Sequence, residues 1–174
     1  DITGSAVAMD KLIAKELLIH SGIAVADYLV VTNKTNINKI VPLVTEKFNF
    51  PVFIKPVCSG SSVGVFKAES EEELKDSITE ALKFDSQVLI EEAIQGREIE
   101  CAILGNDDLI ASVPGEIIPK HTFYSYEAKY IDAEGASLEM PANIPNELIS
   151  RIKDFAMKGY RALFCKGMAR VDMF

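Results

Sequence analysis

The sequence has 174 residues, of which 48% are hydrophobic and 25% charged, as in an ordinary globular protein of one domain or two small ones. Its formal net charge of −8 argues against a general role on nucleic acids or membrane surfaces, which require a basic face, but leaves a nucleotide ligand open. We expect neither a signal peptide nor a membrane span, because no segment approaches the roughly 20 apolar residues that a spanning helix needs.

Apolar periodicity and turn residues predict alternating helices and strands in the first half of the chain. The clearest of these helices begins at Ser70, which forms a capping box with Glu73. In chain order, the predicted elements are a helix at about 8–21, a strand at 27–32, a helix at 36–48, a strand at 52–55 and a helix at 70–84.

The second half is predicted to hold more strand than helix. Its elements are strands at 87–91, 98–104 and 109–113, a long loop at 112–137, a helix from Pro145 to about Leu163 and a strand at 167–174. A break near Gln95-Gly96 predicts two α+β subdomains, at 1–96 and 97–174, and a cleft between them is the default ligand site. Because the chain begins at Asp1 rather than Met and stops inside a predicted strand, we expect a fragment of a longer protein.

A loop rich in Gly and Ser, from Cys58 to Gly64, joins two short strands. Small residues let backbone N–H groups approach phosphate oxygens, and serine hydroxyls add donors. On composition alone, a flexible hairpin tip is the better interpretation, since no Walker A lysine follows. Lys55, at the end of the preceding apolar strand, favours a phosphate site, although a lysine that protects an edge strand is the alternative.

Acidic residues near the predicted junction are the next candidates. Glu91 ends a strand there, and Glu98 and Glu100 leave one face of the following strand while apolar residues leave the other. We expect Glu98 to accept hydrogen bonds from sugar hydroxyls, because it lies closer to the junction. For Glu100 we expect an ordinary position on a half-solvated strand.

The last strand places Arg170 and Asp172 on one face and Ala169, Val171 and Met173 on the other. On the face of a cleft, Asp172 would hold Mg²⁺ and Arg170 would stabilise negative charge at a transferring phosphate or tetrahedral centre. The alternative is that the two side chains simply pair with each other.

Four aromatic residues occur in eight positions between Phe123 and Tyr130, which is unusual in a polar loop. A lid over the site is the functional interpretation, with Lys129 reaching a phosphate and Tyr130 a substrate. The alternative is that the aromatic residues pin the loop to the surface.

Five motifs, in an order that covers nearly the whole chain, resemble those of D-alanine–D-alanine ligases. They are Met9-Asp10-Lys11, Phe50-Pro51-Val52-Phe53-Ile54-Lys55-Pro56, Gly60-Ser61-Ser62-Val63-Gly64, Tyr126-Glu127-Ala128-Lys129-Tyr130 and Gly167-Met168-Ala169-Arg170-Val171-Asp172. The resemblance implies an α+β protein with the ATP-grasp fold, in which two subdomains hold the nucleotide between them and the second is incomplete here. Two positions depart from the pattern: Ser59 stands where many members have an acidic residue, and Glu92 where many have lysine.

The resemblance also implies a role for each matching residue. The residues that would contact ATP are Lys11, Lys55, Ser62, Glu91, Ala93, Ile94, Glu98, Phe123 and Lys129. The lysines would bind phosphates, Glu91 and the backbone after it would bind adenine, and Glu98 would bind the ribose. Ser61 and Tyr130 would position the first D-alanine, Arg170 would stabilise the tetrahedral intermediate, and Asp172 would bind Mg²⁺ or Mn²⁺.

The implied reaction joins two D-alanines in the cytoplasm for peptidoglycan precursor synthesis. ATP phosphorylates one carboxylate, and the amino group of the second D-alanine then displaces phosphate. We expect a homodimer for the full-length enzyme and no ligase activity from a fragment. The alternatives are a D-alanine–D-serine or D-alanine–D-lactate ligase, another ATP-grasp enzyme such as a biotin-dependent carboxylase component, and a non-catalytic nucleotide-binding module.

Overall fold

The computed structural model describes residues 1–119 and 136–174. In chain order, the elements of this part of the chain are α1 (Ile2–Met9), α2 (Lys11–His20), β1 (Tyr28–Thr32), α3 (Ile37–Lys47), β2 (Val52–Pro56), β3 (Phe66–Ala68), α4 (Glu71–Ala81), β4 (Gln87–Glu92), β5 (Glu98–Gly105), β6 (Ile110–Ala111), β7 (Gly115–Pro119), β8 (Ala136–Glu139), α5 (Asn146–Ala162) and β9 (Gly167–Met173). They form two compact units, one of Ala26–Ile94 and one of Asp1–Val25 with Gln95–Phe174. None of the helices in the described ranges is long and apolar enough to cross a membrane.

The unit Ala26–Ile94 contains a four-stranded antiparallel sheet in the order β1-β4-β2-β3, with α3 and α4 on one face. Side chains alternate along each strand, so every second residue of β2 points toward the helices. Val52 and Ile54 are fully buried and pack in one core with Val44 of α3 and with Leu74 and Ile78 of α4. The residues between them are therefore left on the opposite face of the sheet.

Side-chain caps begin both helices of this unit where the sequence predicts them. Asn36 accepts a hydrogen bond from the N–H of Asn38 at 3.0 Å, and Ser70 accepts one from the N–H of Glu73 at 3.3 Å. The Glu73 carboxylate in turn accepts from the N–H of Glu69, at 2.8 Å, rather than from the cap residue itself. The predicted helices at 36–48 and 70–84 are confirmed, with the second ending earlier than expected.

In the second unit, β5 is the central strand. It pairs antiparallel with β9 along one edge and with β7 and β6 along the other, and β8 extends the sheet beyond β7. Helix α5 covers one face, where its Ala156 and Tyr160 pack against Cys101 and Ile103. The Tyr160 hydroxyl donates to the carbonyl of Gly105 at 2.8 Å, which satisfies this polar group inside the core.

Residues Asp1–Val25 belong to the second unit although they come first in the chain. Gly159 of α5 lies against Leu18 and Ile23, and Lys158 Nζ donates to the carbonyl of Gly22 at 3.3 Å. The subdomains expected at 1–96 and 97–174 follow chain order, whereas the compact units group residues 1–25 with the later part of the chain. The break itself lies at residues 94 and 95, two residues from the expected position. How the subdomains of the family correspond to these units stays a prediction.

Two predicted elements are wrong in the described residues. The single helix at 8–21 is instead two helices, because Asp10 leaves helical geometry and caps α2 by accepting from the N–H of Ile13 at 2.9 Å. The predicted loop at 112–137 contains β7 and the start of β8, which pair with each other. Gly115 and Pro119 at the ends of β7 indicated a loop, but pairing with neighbouring strands overrides such weak local preferences.

Candidate functional site

Lys55 lies on an inner strand, on the face of the sheet opposite α3 and α4. Its Nζ is 2.6 Å from Oε2 of Glu91 and 5.6 Å from the centre of the Phe53 ring. The Glu91 side chain is only 6% exposed, whereas that of Lys55 is 30% exposed. β2 pairs with β4 as far as Pro56 but with β3 only as far as Ile54, so the alternative of a lysine protecting a sheet edge stays beside the phosphate site. The structure thus joins Lys55 to the carboxylate that was expected to bind adenine.

Hydrogen bonds shape the loop between β2 and β3. Asp85 Oδ2 accepts from the N–H of Cys58 at 2.7 Å, where the loop leaves the strand. Ser59 Oγ donates to the carbonyl of Val63 at 2.8 Å, and the Val63 N–H donates to the carbonyl of Gly60 at 2.9 Å. These bonds close a turn at the top of the loop.

The same loop has left-handed backbone at Ser61, Ser62 and Gly64, where φ is 53°, 60° and 69°. For a non-glycine residue this conformation costs about 1–2 kcal/mol, and such strain clusters at ligand clamps. Turns of this kind direct successive N–H groups into concavities that bind anions. At Gly64 a side chain would lie 2.8 Å from the Phe84 ring, so only glycine fits there. The loop geometry supports the phosphate-binding interpretation over the hairpin tip.

The residues expected to bind adenine follow one another at the end of β4. Glu91 is buried within the strand, and Ala93 and Ile94 come directly after it, with Ile94 38% exposed. Glu92 lies among them and accepts a hydrogen bond from the N–H of Asp27 at 2.9 Å, which ties this strand end to the start of β1. The roles of these residues toward a nucleotide stay predictions.

The sheet of the second unit carries charged residues on the face away from α5, as the sequence predicts. They are Glu98, Glu100, Arg170 and Asp172. The alternate residues of β9 pack into the core beneath α5. Arg170 donates from Nε to Oδ1 of Asp172 at 2.7 Å and from Nη2 to Oδ2 at 2.8 Å, which raises the pKa of its guanidinium further. The mutual pairing that was held as the alternative is therefore present.

Glu100 is the residue of this face that sequence reasoning missed. The expectation of a half-solvated position is wrong, because Glu100 is only 8% exposed. It lies directly across from Asp172 in the antiparallel pair, and its Oε2 is 3.2 Å from Nη1 of Arg170. On its other side it faces Gly115 of β7, where an added Cβ would meet Oε1 of Glu100 at 3.3 Å. Alternation in the sequence indicates which face a side chain takes, but not what covers it.

Asp172 is the expected metal ligand of this face. Its carboxylate is the kind of donor that Mg²⁺ prefers, and Mg²⁺ commonly uses one or two protein carboxylates together with substrate phosphates. Within residues 1–119 and 136–174, no group of three or more His, Cys, Asp or Glu side chains is placed to hold a metal ion. The described residues therefore fit a cation held largely by nucleotide phosphates, and that cation would share the Asp172 carboxylate with Arg170.

The remaining expected site residues lie elsewhere. Lys11 is the first residue of α2 and is half-buried, directly after the cap residue Asp10. Phe123, Lys129 and Tyr130 lie outside the described residues, so their roles stay predictions.

A second ion pair, between the half-exposed Arg97 and the buried Glu116, was not predicted. Arg97 Nε donates to Oε1 of Glu116 at 2.6 Å, and Nη2 donates both to the other carboxylate oxygen and to the carbonyl of Asn143 at 2.9 Å. The paired guanidinium lowers the pKa of the Glu116 carboxyl. The pair was missed because Glu116 fell in the predicted loop, and it ties β7 to the segment that leads into α5.

Comparisons with known proteins agree with this arrangement. The chain matches the family described as "D-ala D-ala ligase C-terminus" over residues 17–174. It is 48% identical to the D-alanine–D-alanine ligase of Acetivibrio thermocellus and 50% identical to that of Shouchella clausii, over 99% and 100% of its own length. The chain belongs to the D-alanine–D-alanine ligase family. It spans about half the length of these curated relatives, 46% and 47%.

Solved structures of the family have the same fold. The VanG D-Ala:D-Ser ligase of Enterococcus faecalis superposes with a TM-score of 0.88 at 37% identity, over 100% of this chain and 50% of that one. The D-alanine–D-alanine ligase of Coxiella burnetii gives 0.85 at 30% identity, over 100% and 45%. The expected mixed α+β architecture of an ATP-grasp ligase is thereby confirmed.

The two departures from the family pattern have structural uses in this chain. Ser59 replaces an acidic residue, and its hydroxyl closes the loop turn onto the Val63 carbonyl. Glu92 replaces a lysine and binds the backbone of Asp27. Both side chains thus form hydrogen bonds with backbone groups near the positions expected to bind ATP.

Proposed function

We propose that this chain carries the ATP-binding and acyl-transfer residues of a cytoplasmic D-alanine–D-alanine ligase of peptidoglycan precursor synthesis. The observation that carries the proposal is the charged face of β5 and β9, where one guanidinium lies between two carboxylates. Phosphoryl and acyl transfer need charge neutralisation and positioning more than a covalent nucleophile, and this face offers both. The high identity to D-alanine–D-alanine ligases supports the choice of substrate.

In this proposal, ATP is bound by the residues that the resemblance to the family assigns to it. The residues assigned to it are Lys11, Lys55, Ser62, Glu91, Ala93, Ile94, Glu98, Phe123 and Lys129. Lys55 has three N–H donors, of which one already goes to Glu91, so it can bind nucleotide oxygens without leaving its partner. The left-handed backbone at Ser61 and Ser62 supports a role for their N–H groups over the phosphates.

The proposed reaction has two steps. The γ-phosphoryl group of ATP passes to the carboxylate of the first D-alanine, which gives ADP and an acyl phosphate. The amino group of the second D-alanine attacks the acyl carbon, loses a proton and displaces phosphate. Ser61 and Tyr130 position the first D-alanine, and the Arg170 guanidinium stabilises the negative charge that develops on the tetrahedral centre. Mg²⁺ at Asp172 supplies further charge neutralisation when it is bound.

The nature of the second substrate is tested by competition. The ligase-active protein that contains this chain is supplied with ATP, Mg²⁺ and equal D-alanine, D-serine and D-lactate, and the products are separated by mass. We expect D-alanyl-D-alanine as the main product. A D-serine product would favour the activity named for the E. faecalis structure, and a D-lactate product would contradict the proposal equally.

A non-catalytic nucleotide-binding module is the alternative from another class. For the 174-residue chain itself we propose nucleotide binding without ligation, because the chain matches only about half of its relatives' length. Calorimetry with ATP and Mg²⁺, beside phosphate release with D-alanine, separates these cases. Nucleotide binding by the chain but no ligation by any longer form of the protein would support the module instead.

The expected partners are proposals as well. We propose a homodimer for the ligase-active protein, and no nucleic-acid or membrane partner, since the net charge of −8 disfavours anionic surfaces. Light scattering after size exclusion, at low and physiological salt, measures the assembly. A monomer at all concentrations would contradict the first of these proposals.

A further inference from the structure

Arg170 is held by carboxylates on two of its edges. The Nε and Nη2 edge is bonded to both oxygens of Asp172, and Nη1 lies 3.2 Å from Oε2 of Glu100. The two acids differ in their surroundings, since the Glu100 side chain is 10% exposed and that of Asp172 is 42% exposed. Asp172 can therefore exchange partners with solvent or ligand more easily than Glu100.

The charges on this face do not balance. Arg170 contributes +1, while Glu100 and Asp172 together contribute −2, so the three groups carry −1. Glu98, on the same face, adds to the negative potential at Arg170. A cation at Asp172 would offset this excess and would compete with Arg170 for the charge of the Asp172 oxygens.

We propose that Glu100 is a positioning residue, which keeps the Arg170 guanidinium aligned through Nη1 when Asp172 releases it. This inference rests on the proposed function, which gives Asp172 to Mg²⁺ and Arg170 to the tetrahedral centre. An arginine side chain that loses its bidentate partner regains rotamer freedom unless another fixed anion holds it. Glu100 provides that anion, as the ion-pair partner of Nη1, and leaves the Nε and Nη2 edge available for substrate oxygens.

The position of Glu100 suits this role better than a merely structural one. It is anchored between two strands, opposite Asp172 of β9 and Gly115 of β7. Gly115 leaves room for the carboxylate, because any Cβ there would come within 3.3 Å of both Cγ and Oε1 of Glu100. A buried carboxylate on a paired central strand moves little, so it can define the direction of a guanidinium that is itself half-exposed.

Nitrogen NMR of the 174-residue chain tests the proposal without nucleotide or metal. The Arg170 guanidinium signals are assigned with Arg170→Lys, and the rotation rate of its Nη groups is measured in Asp172→Ala and in Asp172→Ala with Glu100→Gln. We expect restricted rotation in the single variant and roughly ten-fold faster rotation in the double variant, the size of an ordinary pairwise coupling. Asp172→Ala with Glu139→Gln is the matched control, because Glu139 is exposed on the same sheet.

The result that overturns the proposal is an Arg170 that rotates as fast in Asp172→Ala as in the double variant. Backbone amide spectra of all variants establish that the sheet is intact, and Glu100→Asp should recover part of the restriction. In the ligase-active protein, Glu100→Gln should lower kcat about ten- to hundred-fold with the KM for ATP unchanged. Since the NMR measurement needs no turnover, it decides the positioning role whether or not the protein proves to be a ligase.

Discussion

The pair between Lys55 and Glu91 offers a quantitative test, because its two members differ in burial. Replacing Lys55 by Met removes the ammonium and leaves a carboxylate whose side chain is 6% exposed. Replacing Glu91 by Gln leaves an ammonium on a side chain that is 30% exposed and can be hydrated. A charge that stays buried costs far more than one that reaches water, so the two single changes should have unequal effects.

The magnitudes follow from these exposures. Breaking a buried pair by removing one member costs about 3–5 kcal/mol, and the partial exposure of Lys55 places this pair below that range. We expect Lys55→Met to lower the free energy of unfolding by about 2–3 kcal/mol and Glu91→Gln to lower it by about 1 kcal/mol. The double variant should be more stable than Lys55→Met alone, because it no longer contains the buried charge.

Urea unfolding of the 174-residue chain measures these differences, with circular dichroism and a reporter for each compact unit. Lys83→Met is the matched control, since Lys83 forms an ion pair with Glu80 on the exposed surface and should contribute at most about 0.5 kcal/mol. The reasoning would be refuted if Glu91→Gln were the more damaging single change, or if the double variant were as unstable as the sum of both. Either result would mean that burial of Glu91 does not control the energy of the pair.

Three further outcomes are expected from the structure. Gly64→Ala should destabilise the chain by about 2–3 kcal/mol in the same urea assay, because residue 64 has a left-handed backbone and its new Cβ would clash with the Phe84 ring. Gly60→Ala is the control and should cost much less, because the space around Gly60 is open. The lowered pKa of Glu116 means that its pairing with Arg97 stabilises the fold fully above the ordinary pKa of 4.5 and less as the pH falls through the lowered pKa. On acidification, the free energy of unfolding of Glu116→Gln should therefore fall less than that of the unchanged chain. The same acid profile for both proteins would contradict this prediction. The exposed thiol of Cys58 should react with a disulfide reagent faster than the other two cysteines. If the loop covers the phosphates, ATP with Mg²⁺ should slow this reaction, which is followed by mass spectrometry. A labelling rate that does not change with the nucleotide would count against that role of the loop.

Local sequence signals predicted most of the elements in this chain because those signals agree with the final packing. Ser70 and Asn36 cap helices where their side-chain oxygens meet free N–H groups, and the alternation of β9 separates Arg170 and Asp172 from the core residues. These features depend on neighbours within a few residues. They are therefore readable before any tertiary contact is known.

The errors arose where distant contacts decide the structure. β7 forms because β5 and β8 supply hydrogen-bond partners on both sides, although Gly115 and Pro119 are poor strand formers. The first 25 residues join the second unit because α2 finds its packing partner in α5. Neither contact leaves a periodic trace in the sequence. The same reason explains Glu100, whose burial is set by the strands on either side of it.

The sequence named the members of the candidate site but only one of the two pairings among them. Sequence order and the family resemblance gave Lys55, Glu91, Arg170 and Asp172 nucleotide or substrate groups as expected partners, and pairing was held as an alternative for Arg170 and Asp172 alone. The structure joins Lys55 to Glu91, and Arg170 to Asp172. Charged side chains in partly buried positions bind each other because an isolated charge there is costly.

This pairing has a consequence for nucleotide binding. In the proposed site, a nucleotide with bound Mg²⁺ would bring both signs of charge at once: phosphate oxygens for the Arg170 guanidinium and a cation for Asp172. ATP without a divalent cation brings only negative charge, so it would have to compete with Asp172 for Arg170 while leaving that carboxylate without a partner. If Asp172 and Arg170 have their proposed roles, we expect tighter binding of the Mg²⁺ complex than of free ATP, and Asp172→Asn should narrow this difference in affinity. Calorimetric titrations with and without Mg²⁺ measure that difference. Equal affinity of the unchanged chain for both forms would show that Asp172 does not compete with ATP for Arg170.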